Sequence, residues 1–291
     1  MNRSYKVVDV FTSRPLLGNP VAVVLDAQGL STDEMQAIAR WTNLSETTFV
    51  LPPTVDEADY GLRIFTPRNE IPFAGHPTLG SAHAILEAGR VTARPGGQLI
   101  QQCGVGLVEL TIEEHSGERQ LAFRLPPARI EPLHAADIAD LELILGCKVD
   151  IKTAPAIVNV GVIWVIAQMN DAASVLDLRP DLARLAAFER RLGVTGLTVF
   201  GTHERADAAI EVRSFAPSSG VDEDPVCGSG NGSIAAFQWE RGLMPVGGGN
   251  YVATQGRRVG RDGRIKVNVD ASGNVRVGGS CVTCAEGSLR L

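Results

Sequence analysis

An internal repeat constrains this 291-residue chain more than any other feature. Arg63-Ile-Phe65-Thr-Pro67 in the first half returns as Arg213-Ser-Phe215-Ala-Pro217 in the second. Upstream, Thr47-Thr-Phe49 is matched by Thr198-Val-Phe200, with 14 residues from Phe49 to Arg63 and 13 from Phe200 to Arg213. Downstream, Ala74-Gly75-His76-Pro77 and Cys227-Gly228-Ser229-Gly230 each stand at the head of a small-residue, apolar stretch, after a loop three residues longer in the second half. A duplicated order of elements predicts two related halves, each burying its own hydrophobic face. The length agrees, since 291 residues exceed the usual single core.

Within the first half, strands are expected at Tyr5 to Phe11, Val21 to Leu25, Thr47 to Leu51 and Tyr60 to Phe65. Ser31-Thr-Asp-Glu34 is a capping box that opens a helix running to about Thr42, with Met35, Ile38, Ala39 and Trp41 facing inward. Pro77 suits a helix's first turn and Gly89 its end. The helix between them, from Thr78 to Glu87, is apolar on most sides and is therefore buried on most sides. Strands follow at Gly97 to Cys103, Leu107 to Glu113 and Gln120 to Leu125 before Pro126, Pro127 and Pro132 mark a crossing. The second half is read as a helix from Ala135 to Leu145 closed by Gly146, one strand from Ala156 to Ala167, and a helix from about Pro180 to Leu192 closed by Gly193. Strands at Leu197 to Gly201 and Ala208 to Phe215, a helix after Gly228 to about Arg241, and a β-rich tail complete it. The expected class is α+β: two pseudo-symmetric domains, each a sheet or barrel wrapped around a buried central helix. Their bounds are 1–126, with a return strand at about 281–291, and 127–280.

The two small-residue helices matter chemically because a helix start offers unpaired N–H groups and the positive end of a dipole. If the halves face each other, two such starts converge on one cleft, and a substrate carboxylate is the natural guest. Gly75, Gly228 and Gly230 allow close approach of backbone to a ligand, or equally tight helix–sheet packing. Glu46, just ahead of an apolar strand, has burial to raise its pKa and make it a proton carrier near neutrality, or is an edge carboxylate. His76 can polarise a substrate oxygen or cap its helix. Asp224, held extended by Pro225, can orient a base or complement the helix dipole. Cys227, before a helix start, is expected to have a lowered thiol pKa. His83 lies about 10 Å along the helix from His76, too far to share a metal, and is read with His115, His134 and His203 as structural.

Composition narrows the partners. The net charge of −6, from 33 acids and 27 bases, and the absence of a strong basic cluster speak against nucleic acid. No run of about 18 apolar residues predicts a membrane helix. An odd count of five cysteines, with no apolar leader, points to reduced thiols and a cytoplasmic protein. Cys281-Val-Thr-Cys284 has zinc-like spacing, but no second pair complements it.

Several blocks in order resemble the PhzF-like (phenazine biosynthesis) family, which shares the diaminopimelate-epimerase fold, over essentially the whole chain. They are Val8-Asp-Val-Phe11, Gly18-Asn-Pro-Val-Ala-Val23, Asn43-Leu-Ser-Glu46-Thr-Thr-Phe49, Arg63 to Pro67, Phe73-Ala-Gly-His-Pro-Thr78 and Asp222-Glu-Asp-Pro-Val-Cys-Gly-Ser229. The resemblance implies a cofactor-independent isomerase similar to trans-2,3-dihydro-3-hydroxyanthranilate isomerase, needing no metal or coenzyme. It implies Glu46 as the proton shuttle and His76 and Asp224 as its catalytic companions. Gly75, Cys227, Gly228, Ser229, Gly230 and Asn19 become substrate contacts. A homodimer and a last strand returning to the first domain are also implied. One position departs: Cys227 stands where the family often has Thr. Cys-Gly-Ser-Gly looks like the second cysteine motif of diaminopimelate epimerase and proline racemase, yet the repeat places Ala74 where the first thiol belongs. An amino-acid racemase or epimerase using Cys227, and a non-catalytic binder of small carboxylates, are the alternative readings.

Overall fold

The computed structural model describes residues 2–115 and 118–291. The chain divides into two compact units, one running to Phe123 and resuming at Gly278, the other running from Arg124 to Val277.

In the first unit, β1 (Asn2–Val10) and β2 (Asn19–Val24) form an antiparallel hairpin. The capping box at Ser31 opens α1 (Thr32–Thr42), which Asn43 ends in a left-handed conformation (φ 53°). Next come β3 (Thr47–Leu51), β4 (Tyr60–Phe65) and β5 (Glu70–Ile71), then α2 (Gly75–Glu87). β6 (Gln98–Cys103), β7 (Gly106–His115) and β8 (Glu118–Arg124) follow. β2 and β3 are parallel, β3 and β4 antiparallel, β4 and β6 parallel, and β6, β7 and β8 antiparallel in turn.

The second unit opens with β9 (Arg129–Pro132) and α3 (Ala135–Leu145), which Gly146 closes. β10 (Ala156–Asn159) and β11 (Ile163–Gln168) are two antiparallel strands where one was expected. The apolar run hides a turn at Gly161, whose φ of 93° breaks the strand and whose N–H donates to the Asn159 side chain. A short α4 (Ala172–Asp177), not foreseen, precedes α5 (Leu182–Leu192), which Asp181 caps and Gly193 ends. β12 (Gly196–Thr202), β13 (Ile210–Ala216), β14 (Val221–Asp224), α6 (Gly228–Glu240), β15 (Gly249–Gln255) and β16 (Gly263–Val269) complete the series. The pairings repeat those of the first unit: β11 and β12 parallel, β12 and β13 antiparallel, β13 and β15 parallel, β15 and β16 antiparallel.

β17 (Val275–Arg290) starts in the second unit and enters the first at Gly278. There it pairs with β8 and, antiparallel, with β1. Those two pairings close β1, β2, β3, β4, β6, β7, β8 and β17 into a ring, so that each of these strands has a neighbour on both sides.

α2 lies against β1, β2 and β3. Its residues from His76 to Ile85 are all buried, as expected of a helix with no polar face. α6 is buried along most of its length in the same way. The repeated Arg and Phe also gain a reason. The Arg63 guanidinium lies 5.1 Å from the Phe65 ring centroid and donates to Glu70 at 2.6 and 2.7 Å. Arg213 stacks on Phe215 at 4.8 Å and donates to Glu223 at 2.7 and 3.0 Å. Each arginine ties the short β5 or β14 to its neighbouring strand.

Two expectations change. Trp41 is 73% exposed, because it sits about 120° around α1 from Met35, off the stripe of Met35, Ile38 and Ala39. The register also shifts the upstream repeat by one residue. Arg63 pairs with Phe49, and Arg213 pairs with Val199, not Phe200. Partners in β3–β4 and β12–β13 therefore correspond at a constant offset of 150, so that Thr48 matches Thr198. Phe200 instead packs edge-on against Phe237 of α6.

At Gly80, α2 presses on the hairpin so closely that an added Cβ would meet Val21 Cγ1 at 2.3 Å and Val10 Cγ2 at 2.9 Å. Gly80→Ala is expected to destabilise the fold by about 1–3 kcal/mol through overpacking, read as a lower denaturant midpoint. An unchanged midpoint would show that α2 is not held as described.

Candidate active site

In the first unit the chemistry gathers at the head of α2. Ala74 is extended (φ −150°) and no side chain caps the helix. His76, the second helical residue, is buried, and burial drives its imidazole down to about 3. The ring is therefore neutral from weakly acidic pH upward. It donates to the carbonyl of Pro20 on β2, the one hydrogen-bonding group a proline backbone has. Its Nε2 lies 3.3 Å from Oε2 of Glu46, whose side chain is 16% exposed. With the ring proton committed to Pro20, Nε2 turns a lone pair toward Glu46. A hydrogen bond at that contact needs a proton on the carboxyl. Asn19, next to Pro20, is buried beside this carbonyl in sequence. Behind α2, Thr78 receives a hydrogen bond from Gln101, which accepts one from Tyr60, and Thr48 bonds Ser81 at 2.8 Å. These buried hydroxyls fix the helix in its sheet.

In the second unit the head of α6 carries the other group. Cys227 is its N-cap residue and its sulfur accepts the Gly230 N–H at 3.3 Å. Its thiol also bonds Asp224 and Ser214 and lies 3.6 Å from Ser229 Oγ. The expectation of a lowered thiol pKa is corrected. Burial, followed by the neighbouring Asp224 charge, pushes the thiol well up, because desolvation outweighs the helix start. Burial likewise lifts the Asp224 carboxyl to about 6, against the Val226 N–H that pulls it down. Gly75 and Gly230 are explained by packing. A Cβ at Gly75 would meet the Phe123 ring at 2.6 Å, and one at Gly230 the Thr198 and Ser214 hydroxyls at 2.8 and 2.9 Å.

Within one unit, then, the fold brings together Glu46 and His76, with Gly75 beside them. Within the other it brings together Asp224, Cys227, Gly228, Ser229 and Gly230. Among the other histidines, His203 bonds Glu211 and Thr254, His83 approaches Glu87 at 3.8 Å, and the side chain of His115 lies outside the described residues. Among the described residues no three His, Cys, Asp or Glu side chains are grouped to hold a metal, and no helix is long and apolar enough to cross a membrane.

Two contributors escaped the sequence reading. Gln255 on β15 accepts from Cys227 N–H at 3.1 Å and from Asn231 at 2.9 Å, and donates to the Asp224 carbonyl at 3.0 Å. Trp164 on β11 donates its indole N–H to Ser229 Oγ at 3.0 Å. Both act from strands 24 or more residues away in sequence, and no local motif announces them.

The sequence matches the model of the phenazine biosynthesis-like protein family over residues 8–287, and the chain belongs to that family. It is 42% identical to the Schizosaccharomyces pombe protein named antisense-enhancing sequence 1, over 98% of this chain and 97% of that one. It is 35% identical to trans-2,3-dihydro-3-hydroxyanthranilate isomerase of Pseudomonas aeruginosa, over 99% of each. In fold it matches the Bacillus anthracis phenazine biosynthesis protein of the PhzF family with a TM-score of 0.90, at 23% identity and with both chains fully covered.

All five cysteines are free thiols, but they differ in access: Cys227 and Cys281 are buried, and Cys103, Cys147 and Cys284 are partly exposed. A maleimide at pH 8 is expected to label the three exposed thiols in the native protein and Cys227 only after denaturation, as read by peptide mass spectrometry. Native labelling of Cys227 as fast as Cys103 would contradict the buried, protonated thiol.

Proposed function

We propose that this protein is an isomerase that moves a proton between carbons of a small carboxylate-bearing molecule, similar to the reaction named for trans-2,3-dihydro-3-hydroxyanthranilate isomerase. The observation that carries the reading is the Glu46–His76 contact of 3.3 Å at the head of buried α2. At that contact Glu46 faces a lone pair rather than a donor, and its carboxylate is the base that takes the proton from carbon. Once protonated it is steadied by the same lone pair, and it can return the proton to a second carbon on the same face. One carboxyl serves as base and then as acid, so the step needs neither metal nor coenzyme. Neutral His76 keeps the proton from escaping to a stronger base, because burial disfavours an imidazolium.

The second unit is assigned to substrate binding. Ser229, Cys227 and the amides at the start of α6 offer donors to a carboxylate, with Asp224 available to an amine or hydroxyl. Racemisation with Cys227 as a base is disfavoured, because burial holds its thiol protonated. The resemblance further implies a cytoplasmic homodimer.

Two measurements test the assignment. In deuterated buffer the wild type is expected to build deuterium into substrate and product, and Glu46→Gln to lose at least about 100-fold in that exchange. Retained exchange removes Glu46 from its role. The Asp224 carboxyl near pH 6 gives the second. If its ionised form receives the Cys227 thiol, kcat/KM falls as the pH drops through about 6, and Asp224→Asn abolishes that limb. A limb that persists in Asp224→Asn belongs to another group.

A further inference from the structure

The two repeats can be compared position by position at the heads of their buried helices. α2 and α6 are both 13 residues long, so His76 and Ser229 correspond as second residues. On the sheet side, the register that matches Thr48 with Thr198 also matches Glu46 with Gly196. The first unit thus pins its helix-head side chain with Glu46. The second has no side chain at the corresponding place. Gly196 pairs with Trp164 on the next strand, and a Cβ at Gly196 would meet the Phe215 carbonyl oxygen at 2.1 Å and the indole Cζ3 at 2.6 Å. Trp164 is 3% exposed, and its N–H meets Ser229 Oγ at 3.0 Å. An acid has been exchanged for an aromatic donor that pins the equivalent residue.

The polarity of that bond has a consequence. Indole nitrogen can donate and cannot accept, whereas a hydroxyl has one proton and two lone pairs. Trp164 therefore occupies a lone pair of Ser229 and never its proton. The proton is left for Cys227 Sγ at 3.6 Å, a long and weak contact, or for an incoming oxygen. Cys227 Sγ already accepts the Gly230 N–H. An incoming carboxylate oxygen is the better acceptor, since hydrogen bonds to ions are roughly twice as strong.

We infer that Trp164 is a positioning residue, whose indole N–H sets the Ser229 hydroxyl as a donor toward a substrate oxygen. This rests on the substrate-binding role proposed above for the second unit. Because Ser229 holds the substrate rather than the moving proton, the effect falls on binding more than on the chemical step.

The test compares the wild type, Trp164→Phe, Ser229→Ala and the double variant, using trans-2,3-dihydro-3-hydroxyanthranilate. Trp164→Phe, which keeps an aromatic ring and drops the donor, is expected to raise KM about 5- to 10-fold with kcat changed less than about 2-fold, the scale of one weakened hydrogen bond. In the Ser229→Ala background the same substitution is expected to add nothing. An unchanged KM, or an equal rise with and without Ser229, overturns the inference. A second readout needs no substrate. The indole N–H resonance of Trp164, identified by its loss from the spectrum of Trp164→Phe, is expected to move in Ser229→Ala. A resonance that stays in place overturns the inference even if the kinetics agree. A wild type that neither binds nor converts the compound sinks the proposed substrate alone, and the resonance still decides the role of Trp164.

Discussion

A helix without a polar face cannot lie on a surface, and that constraint organises each unit. α2 is buried from His76 to Ile85, so strands must surround it. Enclosure favours small residues where the sheet comes closest, as at Gly80 beneath Val10 and Val21. It also sets the chemistry. A side chain at the head of such a helix is cut off from water, and its charged form suffers. His76 is neutral for this reason, the Cys227 thiol is protonated, and the Asp224 carboxyl rises to about 6. The same burial that stabilises the fold sets the charge of the groups at the helix heads.

Much of this was legible in the sequence, for physical reasons that can be named. The all-apolar helices, the capping box at Ser31 and the stops at Gly146 and Gly193 are local signals, and the structure carries each of them. The duplicated Arg and Phe were legible as a repeat, although their purpose, a guanidinium clasping the short strand across a ring, was not. What escaped depends on neighbours distant in sequence. A helix start alone suggests a more acidic thiol at Cys227; the strands packed around it reverse the sign. The alignment of Phe49 with Phe200 followed residue type. Hydrogen-bond register follows backbone geometry and prefers Val199. A slip of one residue turns a strand over, so similarity of side chains is a weak guide to which face they occupy. Trp164 and Gln255 reach the head of α6 from separate strands, and nothing in their own surroundings marks them.

The repeat also places different side chains at equivalent points of one architecture. At the helix head, one unit has an imidazole opposed by a carboxyl, a pair able to exchange a proton. The other has a hydroxyl opposed by an indole, a pair able to hold a position and little else. The surrounding strands and the arginine clasp recur in both units. At Gly196 the Phe215 carbonyl and the Trp164 ring together leave no room for a side chain.

β17 joins the two units through the order in which the chain is made. Its final stretch closes the strand ring of the first unit between β1 and β8. Those partners leave the ribosome before their seam does. The unit whose synthesis begins first thus waits for a segment made after the other unit. Until the seam arrives, β1 and β8 present bare edges, which are templates for pairing with other chains. The strands between Arg124 and Val277 have no such wait. In the cell, the half that carries Glu46 depends for its completion on a segment made after residues 124–277, and on whatever shields its open edges meanwhile.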